Sequence, residues 1–503
     1  MLKNMYSRVL WQNTLSDKFT IDVGTRQGAF CSPDEYLTYQ YEQLIQLDSS
    51  KCGMYIGSIH LPAPTVADDT LIMANNITDL QTLLNIAGDY ANKERYEIQL
   101  EKTSVVNINT SEFLNNLFQD VRPWTLNEGQ VNVSNSFTHL GIDRNAVSGS
   151  IDPSIDTRLA NGRKTTYALM GAGCVGCYGN PPKVNFHIYN IFILPRITYG
   201  LEALKLLRKH LTALETQHRA FIRNILYLPK RTAIAALHIL SGQLPLQATI
   251  EMKILSFLFN CLANPGLLRD IIIRQHAMKD ANSHSWVIYI EEVLRRYDLP
   301  TIASLILEPV SKGVWKAVIK DKVFSYWRDL LQDQALEKST LHHLNPIMQH
   351  NKTHLSLDIA LNPTMVKRAN IKCRILTSTY SLQYNRYHYY KQVSRPTCLL
   401  CDTGEEDKEH FVLKCTDLQS TRSKFLPSLC ENIPYVYSGR PTIIYNSDYL
   451  LQLVLDCSHQ LIMDIIPLSY QEQCNIEAAS QVLLYSLHNA RHSALLRKAN
   501  LTN

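Results

Sequence analysis

The sequence predicts an α+β protein of several domains, and three observations carry that prediction. Over residues 18–142, short apolar and β-branched runs alternate with turn residues and helical segments. From about residue 150, apolar residues recur three or four positions apart, as in helices. The chain has 503 residues, 45% of them hydrophobic and 19% charged, which suits folded domains of about 150 residues each.

Composition limits the classes of partner and the cell compartment. A net charge of +5 permits a nucleic-acid partner without requiring one. We see no apolar run of about 18 residues and no secretory signal, so we expect no membrane span and an intracellular protein, cytoplasmic or nuclear. Twelve irregularly spaced cysteines predict reduced thiols, and a tight Cys/His cluster would then hold metal rather than disulfides.

The first element is a strand over 18–23, followed by a glycine-bracketed turn over 24–28. A helix should begin at Ser32, which can cap it with Glu35 completing a capping box, and should end near residue 47. Its inward face is predicted to comprise Leu37, Tyr41, Leu44 and Ile45.

Two adjacent acids, Asp68 and Asp69, lie between apolar runs and predict a β-hairpin with both carboxylates at its tip. Paired carboxylates repel each other unless a cation lies between them, and Mg²⁺ prefers such oxygen ligands. The alternative is a solvated Asp-Asp turn, which is common.

A helix should follow from about residue 78, with apolar residues from Leu80 to Ala91 at helical spacing. A strand over 98–107 would carry Lys102, and another strand is expected over 137–142. Beyond residue 150 we expect mainly helices, over 155–170, 183–194, 210–226, 233–240, 248–262 and, in the tail, 470–497.

Four short motifs resemble those of reverse transcriptases of non-LTR retrotransposons. GTRQGAFCSP at 24–33 is similar to their G-x-x-Q-G-x-x-x-S-P motif, and VADDTLIM at 66–73 is similar to their x-A-D-D motif. LEKT at 100–103 and FTHLG at 137–141 resemble the downstream lysine motif and the strand that leads to the thumb. The order and spacing of the four agree with that family. The resemblance implies a partial polymerase palm followed by a mostly helical thumb and C-terminal region.

The family's chemistry implies roles for individual residues. Asp68 would bind the catalytic metals with Asp69 assisting, and Lys102 would lie near the nucleotide triphosphate. Lys102 is equally well explained as an exposed lysine at a strand end. Residues expected to approach the template and the nucleotide are Arg26, Gln27 and Gly28. The implied partners are an RNA template and a DNA primer, or an RNA–DNA hybrid.

Two-metal phosphoryl transfer needs carboxylates on both sides of the metal pair. In the resembling family a further aspartate precedes the glycine motif by several tens of residues, whereas here only 23 residues precede Gly24. Asp17 and Asp22 lie where that family has no catalytic acid. We therefore expect a truncated, inactive polymerase that binds Mg²⁺ weakly.

A Cys/His cluster is present near the C-terminus, with the pattern C-x2-C-x8-H-x4-C formed by Cys398, Cys401, His410 and Cys415. Three thiolates and an imidazole can close a tetrahedral zinc site of the structural kind. The alternative is four unrelated residues, but the spacing, the glycine at 404 and the reducing context favour zinc. Non-LTR reverse transcriptases carry a similar C-terminal cluster.

Basic residues on and after the 210–226 helix form a candidate nucleic-acid patch, namely Arg219, Arg223, Lys230 and Arg231. A solvated basic face explains them as well. His218, on the apolar stripe of this helix, is predicted to be packed and hydrogen-bonded.

Together these patterns predict five regions: a partial palm (1–145), a helical thumb (146–265), a helical region (266–390), a zinc module (391–435) and a helical tail (436–503). Three functions remain open. They are a retrotransposon RNA-directed DNA polymerase with an incomplete site, a nucleic-acid-binding protein, and the product of a relic reading frame without selected activity.

Overall fold

The strands of the chain lie almost entirely before residue 146, and helices make up most of the remainder. The structure, a computed structural model, describes residues 5–21, 28, 30–108, 123–145, 149–173, 179–280 and 285–501. The α+β class is confirmed. The chain divides into two compact units, Met1–Ser154 with Cys261–Asp280, and Ile155–Asn260 with Ala281–Asn503.

Within the described residues, the strands form small two- and three-stranded sheets rather than one continuous sheet. The strands are β1 (Met5–Ser7), β2 (Leu10–Trp11), β3 (Thr14–Leu15), β4 (Phe19–Ile21), β5 (Met54–Ile56), β6 (Ile59–Leu61), β7 (Thr65–Val66), β8 (Asp69–Thr70), β9 (Ser104–Val105), β10 (Trp124–Leu126), β11 (Gly129–Val133), β12 (Ser136–His139) and β13 (Ile142–Asn145). Antiparallel pairs are β1–β4, β2–β3, β5–β6, β7–β8, β10–β11 and β12–β13, and β9 adds to β11 in parallel.

Helices differ widely in length along the chain, and the longest described helix, of 32 residues, lies at the C-terminal end. In chain order they are α1 (Ser32–Ser49), α2 (Ile77–Glu94), α3 (Asp152–Gly171), α4 (Pro182–Ile188), α5 (Leu194–Thr198), α6 (Arg208–Leu226), α7 (Ile234–Ser241), α8 (Leu246–Ala263), α9 (Leu267–Met278), α10 (Trp286–Arg296), α11 (Ile302–Leu307), α12 (Lys312–Leu336), α13 (Leu355–Asp358), α14 (Pro363–Leu376), α15 (Gln383–His388), α16 (Gln419–Glu431), α17 (Arg440–Tyr445), α18 (Ser447–Leu455), α19 (Gln460–Met463) and α20 (Tyr470–Leu501).

The core of the first unit forms where α2 packs on β9, β10 and β11. Its buried members are Leu84, Val105, Trp124, Leu126 and Val131. The predicted inward face of α2 is confirmed from Leu83 to Ala91. The side chain of Asn76 caps the helix by accepting a hydrogen bond from the Asp79 backbone N–H at 2.8 Å.

The predicted inward face of α1 is wrong. Leu37, Tyr41 and Ile45 are exposed, and the buried residues of the helix are Gln40, Gln43 and Leu47. Gln40 is inward because its amide donates to the Thr70 hydroxyl at 3.1 Å, at the base of the acidic hairpin. A tertiary hydrogen bond and the helix's neighbours therefore overrode the apolar spacing.

Buried charged groups bind one another within the second unit. Lys372 of α14 donates to Glu477 of α20 at 2.6 Å and to the Ser480 hydroxyl at 2.8 Å, and both charged side chains are fully buried. Buried Glu251 of α8 binds Arg296 and Tyr297. These pairs satisfy charges that would otherwise be costly to bury.

Among the described residues, one helix, Leu246–Ala263, is long and apolar enough to cross a membrane by length and composition. Half of it is buried inside the protein, and it carries the bound Glu251. The core helix of a soluble protein passes the same test, so length and composition alone are weak evidence for a membrane span.

Candidate metal centre and basic groove

The four residues of the Cys/His cluster come together as predicted. One ligand atom from each of Cys398, Cys401, His410 and Cys415 lies within 4.8 Å of all the others. The Cys398 and Cys415 sulfurs are 3.9 Å apart, and the Cys401 sulfur is 3.3 Å from His410 Nε2. Sulfurs bound tetrahedrally at about 2.3 Å would be roughly 3.8 Å apart, so the spacing fits zinc.

A tight turn orients the first two cysteines. The Cys398 backbone N–H donates to the Gly404 carbonyl at 3.1 Å, and Asp402 N–H donates to the Cys398 carbonyl at the same distance. Gly404 has a φ of +68°, a left-handed conformation that favours glycine. The turn therefore folds the segment back so that both thiols face His410.

A wide helical turn, His410–Lys414, places the other two ligands. Cys415 N–H donates to the His410 carbonyl at 2.7 Å, five residues back rather than four. This wider turn sets His410 and Cys415 one full turn apart, on the same side of the backbone. Arg422 of α16 fixes the end of the turn by donating to the carbonyls of Val412 and Cys415, each at 2.9 Å.

The thiols differ in their electrostatic surroundings. Burial raises the pKa of Cys398 to about 12, so a thiolate there requires a cation beside it. Burial acts in the same direction on Cys401, but hydrogen bonds, including one of 3.0 Å from the Thr403 hydroxyl, lower its pKa to about 6. Four protein ligands would leave a zinc ion bound here no open position for a substrate, as in zinc sites of the structural kind.

The acidic hairpin is also present as predicted. β7 and β8 pair with Val66 opposite Asp69, and Ala67 and Asp68 form the turn. Both carboxylates are exposed. Burial and the neighbouring Asp68 raise the pKa of Tyr36. Among the described residues, the Cys/His cluster is the one place where three or more His, Cys, Asp or Glu side chains meet closely enough for a metal, so no third acid joins this pair there.

The positions of the other residues in the reverse-transcriptase-like motifs say less about a site. Arg26 and Gln27 lie outside the described residues, and Gly28 has a φ of +81° with open space beside it. Lys102 is exposed in a turn before β9 instead of within a strand, so the predicted strand over 98–107 is shorter than expected. The expected strand over 137–142 is a hairpin, β12–β13.

The predicted basic patch is engaged mostly in internal contacts. Arg219 donates to the Glu215 carbonyl at 3.1 Å, and Arg223 to the Thr232 carbonyl at 3.4 Å. Arg231 donates to the Thr379 carbonyl and lies over the ring of Tyr390. Lys230 is exposed. The prediction for His218 is confirmed: it is buried between the Tyr189 hydroxyl and the Leu244 carbonyl.

A groove between α3 and α6, which the sequence did not predict, gathers a different set of basic residues. It encloses about 890 Å³, and Arg163, Arg208 and Lys209 line it together with the exposed ring of Tyr167. None of its thirteen lining residues is acidic. Within the described part of the chain, the side chains of Arg163 and Arg208 have no hydrogen-bond or ion-pair partner.

A scan against models of known protein families finds no match, and no curated protein matches the sequence. The resemblance to reverse transcriptases therefore rests on the four short motifs and the Cys/His spacing alone.

Proposed function

We propose that this protein binds nucleic acid, with the α3–α6 groove as a contact surface and a zinc-stabilised module beside its C-terminal helix. The observation that carries the proposal is the groove: two arginines and a lysine on an apolar floor with an exposed tyrosine and no acid. Lysine and arginine bind phosphates, and an exposed aromatic ring can stack on an unpaired base. A nucleic-acid partner, RNA or DNA, also agrees with the resemblance to non-LTR reverse transcriptases.

A salt titration of RNA affinity tests this proposal. The affinity of the full chain for a single-stranded RNA 20-mer, measured by fluorescence anisotropy at several salt concentrations, should fall steeply as salt rises. Each phosphate contact to a single strand contributes a slope of about 0.7, so Arg163→Ala with Arg208→Ala should reduce the slope by about 1.4. The matched control, Lys316→Ala with Lys320→Ala, removes two exposed charges of α12 outside the groove.

The salt slopes of the two double variants are compared to separate binding in the groove from general charge attraction. A reduced slope in the groove variant alone supports the groove. An equal reduction in both variants would indicate non-specific attraction, and an absence of RNA binding by the wild type would reject the function. The same titration with an RNA–DNA hybrid compares the partner that the resemblance implies.

RNA-directed DNA polymerase activity is the second candidate, favoured by the acidic hairpin and its neighbouring motifs. Asp68 and Asp69 lie at the tip of a hairpin, where a polymerase palm holds its metal-binding acids. Two exposed carboxylates without a third are a weak Mg²⁺ site. Nucleic-acid binding is therefore the better-supported function, and primer extension separates the two.

A further inference from the structure

A recess of about 360 Å³ lies where α14, the end of α16 and α20 meet, separate from the groove between α3 and α6. On α20, Asn475, Ala478, Ala479 and Val482 share one face because they are three or four residues apart. The two alanines leave room that larger side chains would fill. Met365 of α14 completes an apolar wall. The recess is near the lower end of the volumes at which proteins bind small molecules.

Arg368 of α14 lines this recess with an unpartnered charge. Its side chain is half-buried, and its Nε is shielded from solvent without a hydrogen bond. Among the described residues, no carboxylate or carbonyl binds its guanidinium. Arg374, on the same helix, instead donates to the Tyr227 carbonyl at 3.0 Å. A shielded donor without a partner costs free energy, which an anionic ligand would recover.

The neighbouring polar groups leave that charge uncompensated. Glu477, the buried acid on α20, is bound to Lys372 at 2.6 Å. None of the eight residues that line the recess is acidic. The Asn475 amide oxygen accepts from Gln471 at 3.1 Å, which leaves its amide N–H groups as donors beside the recess. An arginine and an amide donor on an apolar wall suit a carboxylate or phosphate on a compact apolar body.

We propose that this recess binds a small organic anion, with Arg368 holding its carboxylate or phosphate group and the alanine-lined face of α20 holding its apolar part. This site is independent of the proposed nucleic-acid groove. The ligand's anionic group could be a carboxylate or a phosphate ester, and the test includes one of each.

Thermal unfolding of the full chain with benzoate or phenyl phosphate tests the site, because a ligand that binds the folded state raises the midpoint with concentration. Sodium chloride at matched ionic strength is the reference. Arg368→Met should weaken binding of either probe at least about tenfold, since a charge-assisted hydrogen bond is lost. Ala479→Leu, which fills the recess and keeps the charge, should do the same. Arg497→Met, at an exposed position of α20, removes an equal charge and should bind as the wild type does.

Because Arg368 has no partner to lose, its replacement should leave the unfolding midpoint without probe close to that of the wild type. A midpoint that neither probe raises above the chloride reference would overturn the proposal. So would equal loss of binding in Arg368→Met and Arg497→Met, which would show general charge attraction. If Arg368→Met weakens RNA binding while neither probe binds, the site belongs to nucleic acid, and the small-anion assignment is wrong.

Discussion

The guanidinium of Arg491, on the long C-terminal helix α20, donates two hydrogen bonds to the carboxylate of Glu406, inside the Cys/His module. The Nε–Oε1 distance is 2.7 Å and the Nη2–Oε2 distance is 2.9 Å. Both side chains are buried, and Glu406 also accepts the Gln383 backbone N–H at 2.9 Å. Glu406 lies between Cys401 and His410 in the sequence, so this pair joins the candidate metal centre to the helical body of the second unit.

Replacing Arg491 with methionine should destabilise the protein by about 3–5 kcal/mol, because it leaves the Glu406 carboxylate buried without its partner. Urea unfolding of the full chain measures the change. Adding Glu406→Gln should recover part of the lost stability, since it removes the carboxylate charge that Arg491→Met leaves buried without a partner. Arg497→Met, exposed on the same helix, should change the free energy of unfolding by no more than about 0.5 kcal/mol. A similar effect of Arg491→Met and Arg497→Met would contradict the importance of the buried pair.

Purified protein should carry one zinc ion per chain, held by the Cys₃His cluster. Cys401→Ser should weaken zinc affinity at least about 100-fold, because loss of a ligand exceeds the 10- to 100-fold effects of outer-shell changes. Competition with a colorimetric chelator measures the affinity, and the thermal midpoint should fall with it. Cys430→Ser, at a half-buried thiol outside the cluster, is the control. Unchanged zinc affinity in Cys401→Ser would rule out this ligand set.

Stability should fall as the pH drops below about 6.5, because buried histidines stay neutral in the folded chain while unfolded histidines take up protons. Burial lowers the pKa of His218 to about 3 and that of His238 to about 4. Each folded-state pKa is depressed, so the unfolded state binds more protons between the two pKa values. Each histidine then contributes a slope of about 1.4 kcal/mol per pH unit.

The variant His238→Asn should therefore have a shallower dependence of unfolding free energy on pH, by about 1.4 kcal/mol per unit between roughly pH 5.5 and 4.5. Urea unfolding at a series of pH values measures both slopes. His187→Asn, at an exposed position, should keep the wild-type slope. Identical slopes for His238→Asn and the wild type would mean that His238 does not remain neutral in the fold.

Primer extension on an RNA template, with Mg²⁺ or Mn²⁺, should give no more incorporation than the double variant Asp68→Asn, Asp69→Asn. The reason is chemical: in-line phosphoryl transfer needs metals held between several carboxylates, and these two are exposed on a hairpin tip. Incorporation above that of the double variant would establish polymerase activity and assign it to these acids.

Features that depend on residues close together in the sequence could be predicted from the sequence. The Cys/His cluster depends on a short turn and one helical turn, and the acidic hairpin on a two-residue step, so local spacing was sufficient for both. The inward face of α1 could not be predicted this way, because the Gln40–Thr70 contact joins distant segments. An apolar pattern shows which residues of a helix can be buried, but the segments that pack against the helix decide which of its faces is buried.

The two recesses illustrate the same limit. Arg163 and Arg208 are far apart in the sequence, and the packing of α3 against α6 brings them to one groove. Arg368 and Ala479 meet in the same way, through α14 and α20. No local pattern marks either pair. Conversely, the basic residues that are close in the sequence, Arg223 and Arg231, form contacts within the fold.

The helix α20 also fixes the distance and the rotation between two buried ion pairs. Glu477 binds Lys372 and Arg491 binds Glu406, and about 21 Å of continuous helix separates these two attachments at 1.5 Å per residue. Inserting a single residue between them would turn the second attachment by about 100° relative to the first. We therefore expect the length of this segment to be as constrained as the identity of its charged residues: an insertion or deletion between the two attachments should be more damaging than a point substitution on its exposed side.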